Sequence, residues 1–517
     1  MKKLTRALLI FFPIVSISCA LAKTPSAPPF EYKLNTLIQQ HLPSGTLGLV
    51  IQDPQGGKII YDRRAEEHFY PASNTKLFTA AAALQYFGAN FQFQTSVHAQ
   101  LDRLSKSDKS DKSDKSETAD KPEKPEAGTL KDNLYLTFRG DPSFTIADLA
   151  QMIKQIKTKG IHKISGDFVI DDTAFQAPAY APGWTWESIP YSFSAPITTI
   201  VLNENKVRLK FNKAEKLNEK LNFEQESSSL PLLKLKQNVI AVTQNEAEHL
   251  CQFNPTIKQN EITLVGCWPK DKTPSHVELA LDDPRALAQR LITSFLTENN
   301  IELEGSIRFA AMEKPLPAII IKRSVPLKNL LPRVLADSNN LYTESLTKAL
   351  GVAYFGQGTF QAGINAINEI LSTKTQLSFA DLRLNDGSGQ SRYNLVTPLL
   401  VTQLLYHLYQ DPDFNVFYQA LSTSGKNGSL AMRMKSETMS GKVVAKTGTA
   451  SGTSALSGYL TANSGKQYIF SMMINQAMLD HSSLKSFENK LCELMVQEPW
   501  LARIEDSSVP GLPTEFR

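Results

Sequence analysis

Ser73-Asn74-Thr75-Lys76-Leu77-Phe78-Thr79-Ala80-Ala81-Ala82-Ala83-Leu84-Gln85-Tyr86-Phe87 opens on small polar residues, continues in Ala and Leu, and stops before Gly88. Strong helix formers between a polar start and a terminating glycine predict a helix rather than a strand. Residues three apart share a helix face, so the Ser73 hydroxyl stands beside the Lys76 amine. A neutral lysine there can take the serine proton, and a helix N-terminus favours the negative charge that develops. The spacing alone decides little, because Ser345/Lys348 and Ser482/Lys485 repeat it.

Working outward, residues 47–53 (LGLVIQD) and 58–62 (KIIYD) flank Pro54-Gln55-Gly56-Gly57, a hairpin signal. Residues 105–128 (SKSDKSDKSDKSETADKPEKPEAG) carry six Lys, seven acidic residues and no large apolar one. Such a run cannot bury a core; between strand-like runs at 93–101 and 129–138 it reads as an overgrown hairpin turn. Next come an amphipathic helix near 145–158, a strand near 166–171 and a Pro- and aromatic-rich loop at 177–194. Short β-like runs at 206–212, 239–243 and 261–266 make 195–275 a separate small β-rich unit. A helix at 283–298, a strand at 305–310, long helical stretches from about 319, and strands at 454–461 and 467–475 complete the chain, with no internal repeat.

Two further groups can carry chemistry. Ser338-Asn339-Asn340 precedes a helical run. It sets a hydroxyl able to relay a proton and an amide able to hold a peptide carbonyl on one loop, or else it is only a helix cap with Glu344 nearby. Lys446-Thr447-Gly448-Thr449 follows the strand-like KVVA at 442–445, and offers a cation, two hydroxyls and a glycine that permits close approach, suited to a carboxylate. It can equally be an ordinary strand end.

The order Ser-x-x-Lys, Ser-x-Asn, Lys-Thr-Gly resembles that of penicillin-binding proteins and serine β-lactamases. Ser338 follows Ser73 by 265 residues and Lys446 follows Ser338 by 108, so a large insertion separates the first two motifs. That layout is similar to the class C low-molecular-mass penicillin-binding proteins, the D-alanyl-D-alanine carboxypeptidase/endopeptidase family S13, often called penicillin-binding protein 4 or DacB. The stretches Asp386-Gly387-Ser388-Gly389-Gln390-Ser391-Arg392-Tyr393-Asn394 and Ala181-Pro182-Gly183-Trp184, the latter ahead of Ser192-Phe193-Ser194-Ala195-Pro196, also match that family. The resemblance covers the mature chain apart from 105–128 and the tail after about 502.

The resemblance implies an α/β fold, with a catalytic domain of an antiparallel sheet flanked by helices at 23–97 and 313–517. An inserted domain is expected at 98–194 and 276–312, with the β-rich unit 195–275 nested inside it. It also implies a serine D,D-peptidase acting on peptidoglycan stem peptides, without a cofactor, and acylated by β-lactam antibiotics. Ser73 would be the nucleophile, with Lys76 as its base, a role disputed for this superfamily. Ser338 would pass a proton to the leaving amine and Asn340 orient the substrate amide. Lys446 would hold that proton network and, with Thr447 and Thr449 on either side of the substrate-binding Gly448, the terminal carboxylate, with the backbone N–H groups of Ser73 and Thr449 as oxyanion hole. A diaminopimelate side chain would be read by Asp171, or by Asp172 if the match slips by one, together with Phe175 and Arg392. Phe175 can instead be core, and Arg392 a surface ion-pair partner. Carboxypeptidase and endopeptidase action are not ranked. The alternatives are a β-lactamase, for which no motif supplies a deacylation base, and a non-catalytic wall-binding scaffold, which loss of Ser73, Lys76 or Lys446 would favour.

At 517 residues the chain has room for about three domains. Its 42% apolar and 21% charged content excludes wholesale disorder and a multi-span membrane protein. The net charge of +4 includes Lys2, Lys3 and Arg6, which lie in a segment that reads as a signal peptide: a basic start, an apolar stretch at 7–17, and Ala20-Leu21-Ala22 as cleavage site. The mature charge is then about +1, with no footprint for nucleic acid. Export to the periplasm is expected, with Cys19 as a lipoprotein cysteine, or a retained N-terminal anchor, as the rivals. In an oxidising compartment Cys251 and Cys267 are expected to pair as a local disulfide, leaving Cys492 a buried thiol. His249 near Cys251 lacks further ligands in range, so no metal is expected. The last helix, 484–504, is the candidate for a weak membrane or cell-wall association.

Overall fold

The computed structural model describes residues 29–105, 127–212, 214–226, 233–271 and 276–498. The expected export segment with Cys19, residues 106–126 of the low-complexity run, and the expected end of the last helix beyond 498 lie outside them.

Strand Thr46–Gln52 pairs antiparallel with Ile59–Arg63 on one side and with Gln467–Asn475 on the other, which joins the two ends of the chain in one sheet. Its six strands run in the order 422–423, 443–450, 453–461, 467–475, 46–52, 59–63. Strand alternation assigns the two faces. Val443 and Ala445 point into a core with Phe30 and Leu34 of helix Pro29–His41 and Phe487 of helix His481–Val496. Val444 points into the opposite core, with Phe78, Leu346 and Leu404 of helices Lys76–Phe87, Asn340–Phe355 and Pro398–Tyr409. The sheet therefore lies between two helical layers, as expected. Helix Lys76–Phe87 is apolar nearly all round and buried from Lys76 to Leu84, the pattern of a helix placed inside a core.

A second sheet takes the order 307–309, 168–171, 134–137, 94–98, 318–323. Strands Gln94–His98 and Ala318–Arg323 are neighbours in it, so the chain leaves and re-enters the part built on the first sheet side by side. The expected division after residue 97 cuts the first of these strands, and the one at 313 leaves the second on the wrong side. Inter-strand pairing decides this, and a single strand's sequence does not carry it. Likewise the β-rich unit extends past 275, since His276–Ala280 pairs with Lys206–Phe211, and its apolar core runs on into that of the second sheet. Within the unit Cys251 and Cys267 form a disulfide, and Cys492 elsewhere is a buried free thiol. The ends of the low-complexity run meet: Ser105 N–H donates to Thr129 O and Gly128 N–H to Ser105 O.

Candidate active site

Ser73 sits on the turn Ala72–Thr75, a 3-10 turn where the sequence predicts the first α-turn; the α-helix begins at Lys76. Ala72 has φ +46°, a left-handed conformation that alanine avoids. Its neighbours impose it. The Ala72 carbonyl accepts from Thr75 Oγ1 at 2.9 Å, and Gly389 packs so closely that a Cβ there would lie 1.8 Å from the same oxygen. The turn also rests on strand Val443–Ala450, where a Cβ on Gly448 would lie 2.7 Å from the Pro71 carbonyl. Strain held in place by its surroundings is a mark of functional sites.

Lys76 Nζ, fully buried, lies 2.9 Å from Ser73 Oγ, 2.6 Å from Asn340 Oδ1 and 2.7 Å from the Ser388 carbonyl. Burial pushes its pKa down to about 7, against the opposing pull of Asp386 and Glu344. An amine poised there can exchange a proton with a hydroxyl at neutral pH. Lys446 Nζ donates to Ser338 Oγ at 2.9 Å and to the Thr447 carbonyl at 2.8 Å. Burial, and then the neighbouring Lys76 charge, hold it well below its ordinary pKa. The first and third motifs thus meet through the second. Asn339, not Ser338, caps helix Asn340–Phe355 by accepting from Tyr342 N–H at 3.1 Å, which leaves the Ser338 hydroxyl to Lys446.

Short strand Ser422–Thr423 covers only Val444 and Ala445, so among the described residues Thr447–Ala450 has no strand on that edge. Thr447 Oγ1 donates to Ser429 Oγ at 2.7 Å, Gly448 is buried, and Thr449 is exposed. An open edge of this kind can take an extended peptide as an added strand.

Beneath Lys76 lie two buried carboxyl groups that belong to none of the three motifs. Glu344 accepts from the backbone N–H groups of Gly387 and Ser388, at 3.1 and 2.7 Å. Asp386 accepts from the N–H groups of Gly389 and Ser391, from Asn394 Nδ2 and from Trp184 Nε1. Burial and then Asp386 push the Glu344 carboxyl up to about 8. Together they hold the loop that presents the Ser388 carbonyl to Lys76. Glu344 could have been found as the residue four past Asn340 on the same helix face. The two stretches 181–184 and 386–394 are joined here by Trp184 and by Ser391 Oγ, which donates to the Pro182 carbonyl.

Arg392 lies at the rim, its guanidinium 5.1 Å from the Tyr70 ring and donating to the Ser451 carbonyl at 3.3 Å, just past the Lys-Thr-Gly strand. Asp171 and Phe175 spend their contacts on residues outside the three motifs. Asp171 ends a buried strand and spends its carboxylate on Thr173 and Arg139. Phe175 packs in the core beside Gly140 and Lys348, and Asp172 is paired with Arg285.

Residues 31–112 and 115–497 match the D-Ala-D-Ala carboxypeptidase 3 (S13) family. This chain belongs to that family. It is a serine D-Ala-D-Ala peptidase of the class C penicillin-binding type. The D-alanyl-D-alanine carboxypeptidase of Actinomadura sp. (strain R39) is 30% identical over 479 residues, spanning 89% of this chain and 84% of that one. D-alanyl-D-alanine carboxypeptidase DacB of Haemophilus influenzae is 28% identical over 467 residues, spanning 89% and 91%. The crystal structure of penicillin binding protein 4 (dacB) from the same organism superposes with a TM-score of 0.77 at 25% identity, covering 90% of this chain and 99% of the other. A second structure of that protein, complexed with a β-lactam, gives 0.73.

Proposed function

We propose that Ser73 is the nucleophile with which this S13 peptidase removes D-alanine from peptidoglycan stem peptides, and that Lys76 is its base. The Lys76 Nζ to Ser73 Oγ distance of 2.9 Å, at a buried amine with pKa about 7, carries the reading. Ser73 Oγ attacks the carbonyl between two D-alanines while its proton passes to Lys76. The oxyanion is met by the backbone N–H groups of Ser73 and Thr449, where one donor commonly contributes about 3 kcal/mol. Ser338, held by Lys446, passes a proton to the leaving nitrogen; the C–N bond breaks and D-alanine departs, its carboxylate having been held by Lys446, Thr447 and Thr449. Water then cleaves the acyl ester. A β-lactam carbonyl would be attacked in the same way, but its ring-opened leaving group stays attached and the ester persists.

For the stem-peptide side chain this reading keeps Arg392, which stands at the rim, and not Asp171 or Phe175. The segment 1–22 supports export to the periplasm. Among the described residues no helix is long and apolar enough to cross a membrane. The apolar face of His481–Val496 (Leu484, Phe487, Leu491, Met495) is spent on the core, so any weak membrane or cell-wall contact belongs to other surfaces.

The test is intact mass after incubation with benzylpenicillin, followed by D-alanine release from diacetyl-L-Lys-D-Ala-D-Ala. A persisting one-to-one adduct with peptide cleavage is expected. Drug turnover without an adduct would indicate a β-lactamase, and no adduct at all a scaffold; either overturns the proposal.

A further inference from the structure

The inserted region touches the catalytic centre at the Ser-x-Asn motif, and the contact is built from strained residues. Asn203, Glu204 and Asn205 have φ of +49°, +59° and +48° in succession. Asparagine tolerates that region, glutamate does not favour it, and three in a row are held only by specific bonds. Asn203 Oδ1 accepts from Ile146 N–H at the start of helix Ile146–Thr158. Asn205, fully buried, accepts from Leu202 N–H and donates to the Ile200 carbonyl. Between these two anchors the Glu204 side chain projects at the catalytic domain. One oxygen accepts from Arg333 at 2.7 Å and the other from Asn339 Nδ2 at 2.7 Å, with Lys206 Nζ at 3.4 Å.

Asn339 stands between Ser338 and Asn340, and Ser338 is itself left-handed, at φ +59°. A serine relaxes from that conformation unless its neighbours prevent it. Those neighbours are the Asn339 cap on Tyr342 N–H, the Asn339 N–H bond to the Arg333 carbonyl, and the Glu204 carboxylate that grips Asn339 and Arg333 at once. The insert also reaches Asn340, whose Nδ2 donates to the Phe193 carbonyl at 2.8 Å.

We propose that Glu204 is a positioning residue for the reaction: through Asn339 and Arg333 it holds Ser338 in its left-handed conformation, with Oγ on Lys446, so that the inserted region helps set the geometry of the catalytic centre. It touches no reacting atom. This rests on the role given to Ser338 above. Losing the grip lets Ser338 Oγ drift from Lys446 Nζ, and a displacement of an ångström at a proton-relay group can cost up to about a hundredfold in rate.

The experiment measures penicillin acylation, and kcat and KM on the D-Ala-D-Ala peptide, per active site titrated, for the wild type, Glu204→Ala, Glu204→Gln and Arg208→Ala, a variant of the insert whose partners are Glu226 and His276. Glu204→Ala should acylate about tenfold more slowly and lose kcat by a similar factor, with KM within about twofold. Glu204→Gln, which keeps an acceptor for Asn339, should recover to within about threefold of the wild type, and Arg208→Ala should match it. If Glu204→Ala does not fold, Asn339→Asp reads the same contact. It opposes two carboxylates while keeping the cap oxygen, should be slow alone, and should be rescued by pairing with Glu204→Gln. Normal acylation per titrated site in Glu204→Ala, or failure of the paired rescue where that is the variant used, overturns the proposal. A wild type that forms no adduct overturns the functional reading instead.

Discussion

Ser73/Lys76 and Ser345/Lys348 have the same spacing, pack in the same core, and end in buried lysines, yet the two sites are built for opposite purposes. Lys76 Nζ faces the hydroxyl of a serine that is partly exposed, together with one amide and one carbonyl. Lys348 Nζ turns away from Ser345, whose hydroxyl is wholly buried without a hydrogen bond, and donates to the carbonyls of Gln176, Pro178 and Ile197. It lies 4.4 Å from the Phe360 ring. Burial lowers both amines, to about 7 and about 8, so a perturbed lysine does not by itself mark the site. What separates them is a partly exposed hydroxyl, an open strand edge beside it, and a strained turn that holds it there. Lys348 instead pins the insert to the helix that carries Asn340. The third copy, Ser482/Lys485, is a surface pair in which Ser482 bonds Asp480.

The difference can be broken in order of size. Ser73→Ala should lower peptide hydrolysis by about 10⁴-fold or more, and Ser345→Ala by less than about twofold, in steady-state assays. Equal losses would erase the distinction. Lys76→Met should slow penicillin acylation by about a thousandfold with little change in Tm, whereas Lys348→Met leaves buried carbonyls without a donor and should cost about 1–3 kcal/mol or more in denaturant unfolding, with near-normal acylation of the folded fraction. With neutral Lys76 as the proposed base and its pKa depressed to about 7, acylation should rise with pH through about 7 and level off above it. A rate falling as pH rises from 6 to 8 would contradict a lysine base. Glu344→Gln should have the smallest effect, since the buried carboxyl, raised to about 8, is already mostly neutral at pH 7. Its rate should stay within about threefold, and the midpoint of the pH profile should move slightly down, because ionised Glu344 no longer raises Lys76.

The hairpin at 46–63, the central helix and the last two strands are legible in the sequence, because each is a local pattern of alternation or helix-forming residues bounded by glycine or turn residues. The three motifs are legible through their order. What the sequence does not carry is pairing at a distance. Strand Ala318–Arg323 lies beside Gln94–His98, and His276–Ala280 beside Lys206–Phe211, through hydrogen bonds that leave no local trace. Asp171 and Phe175 look available in a list of residues, but their buried positions and bonds to Thr173, Arg139 and the core appear only in three dimensions. The placement of Glu344 and Asp386 is hidden for the same reason: the fold, and not the local sequence, buries both acids under Lys76.

The central claim is that the serine of the first pair, and not its counterpart, is the acylated residue. Wild-type protein should be incubated with benzylpenicillin, cleaved with a protease, and the adduct located by mass on its fragment. One penicilloyl group is expected on the fragment that holds Ser73 and Lys76, and none on the fragment that holds Ser345. An adduct anywhere else, or a stable adduct in Ser73→Ala, would contradict it.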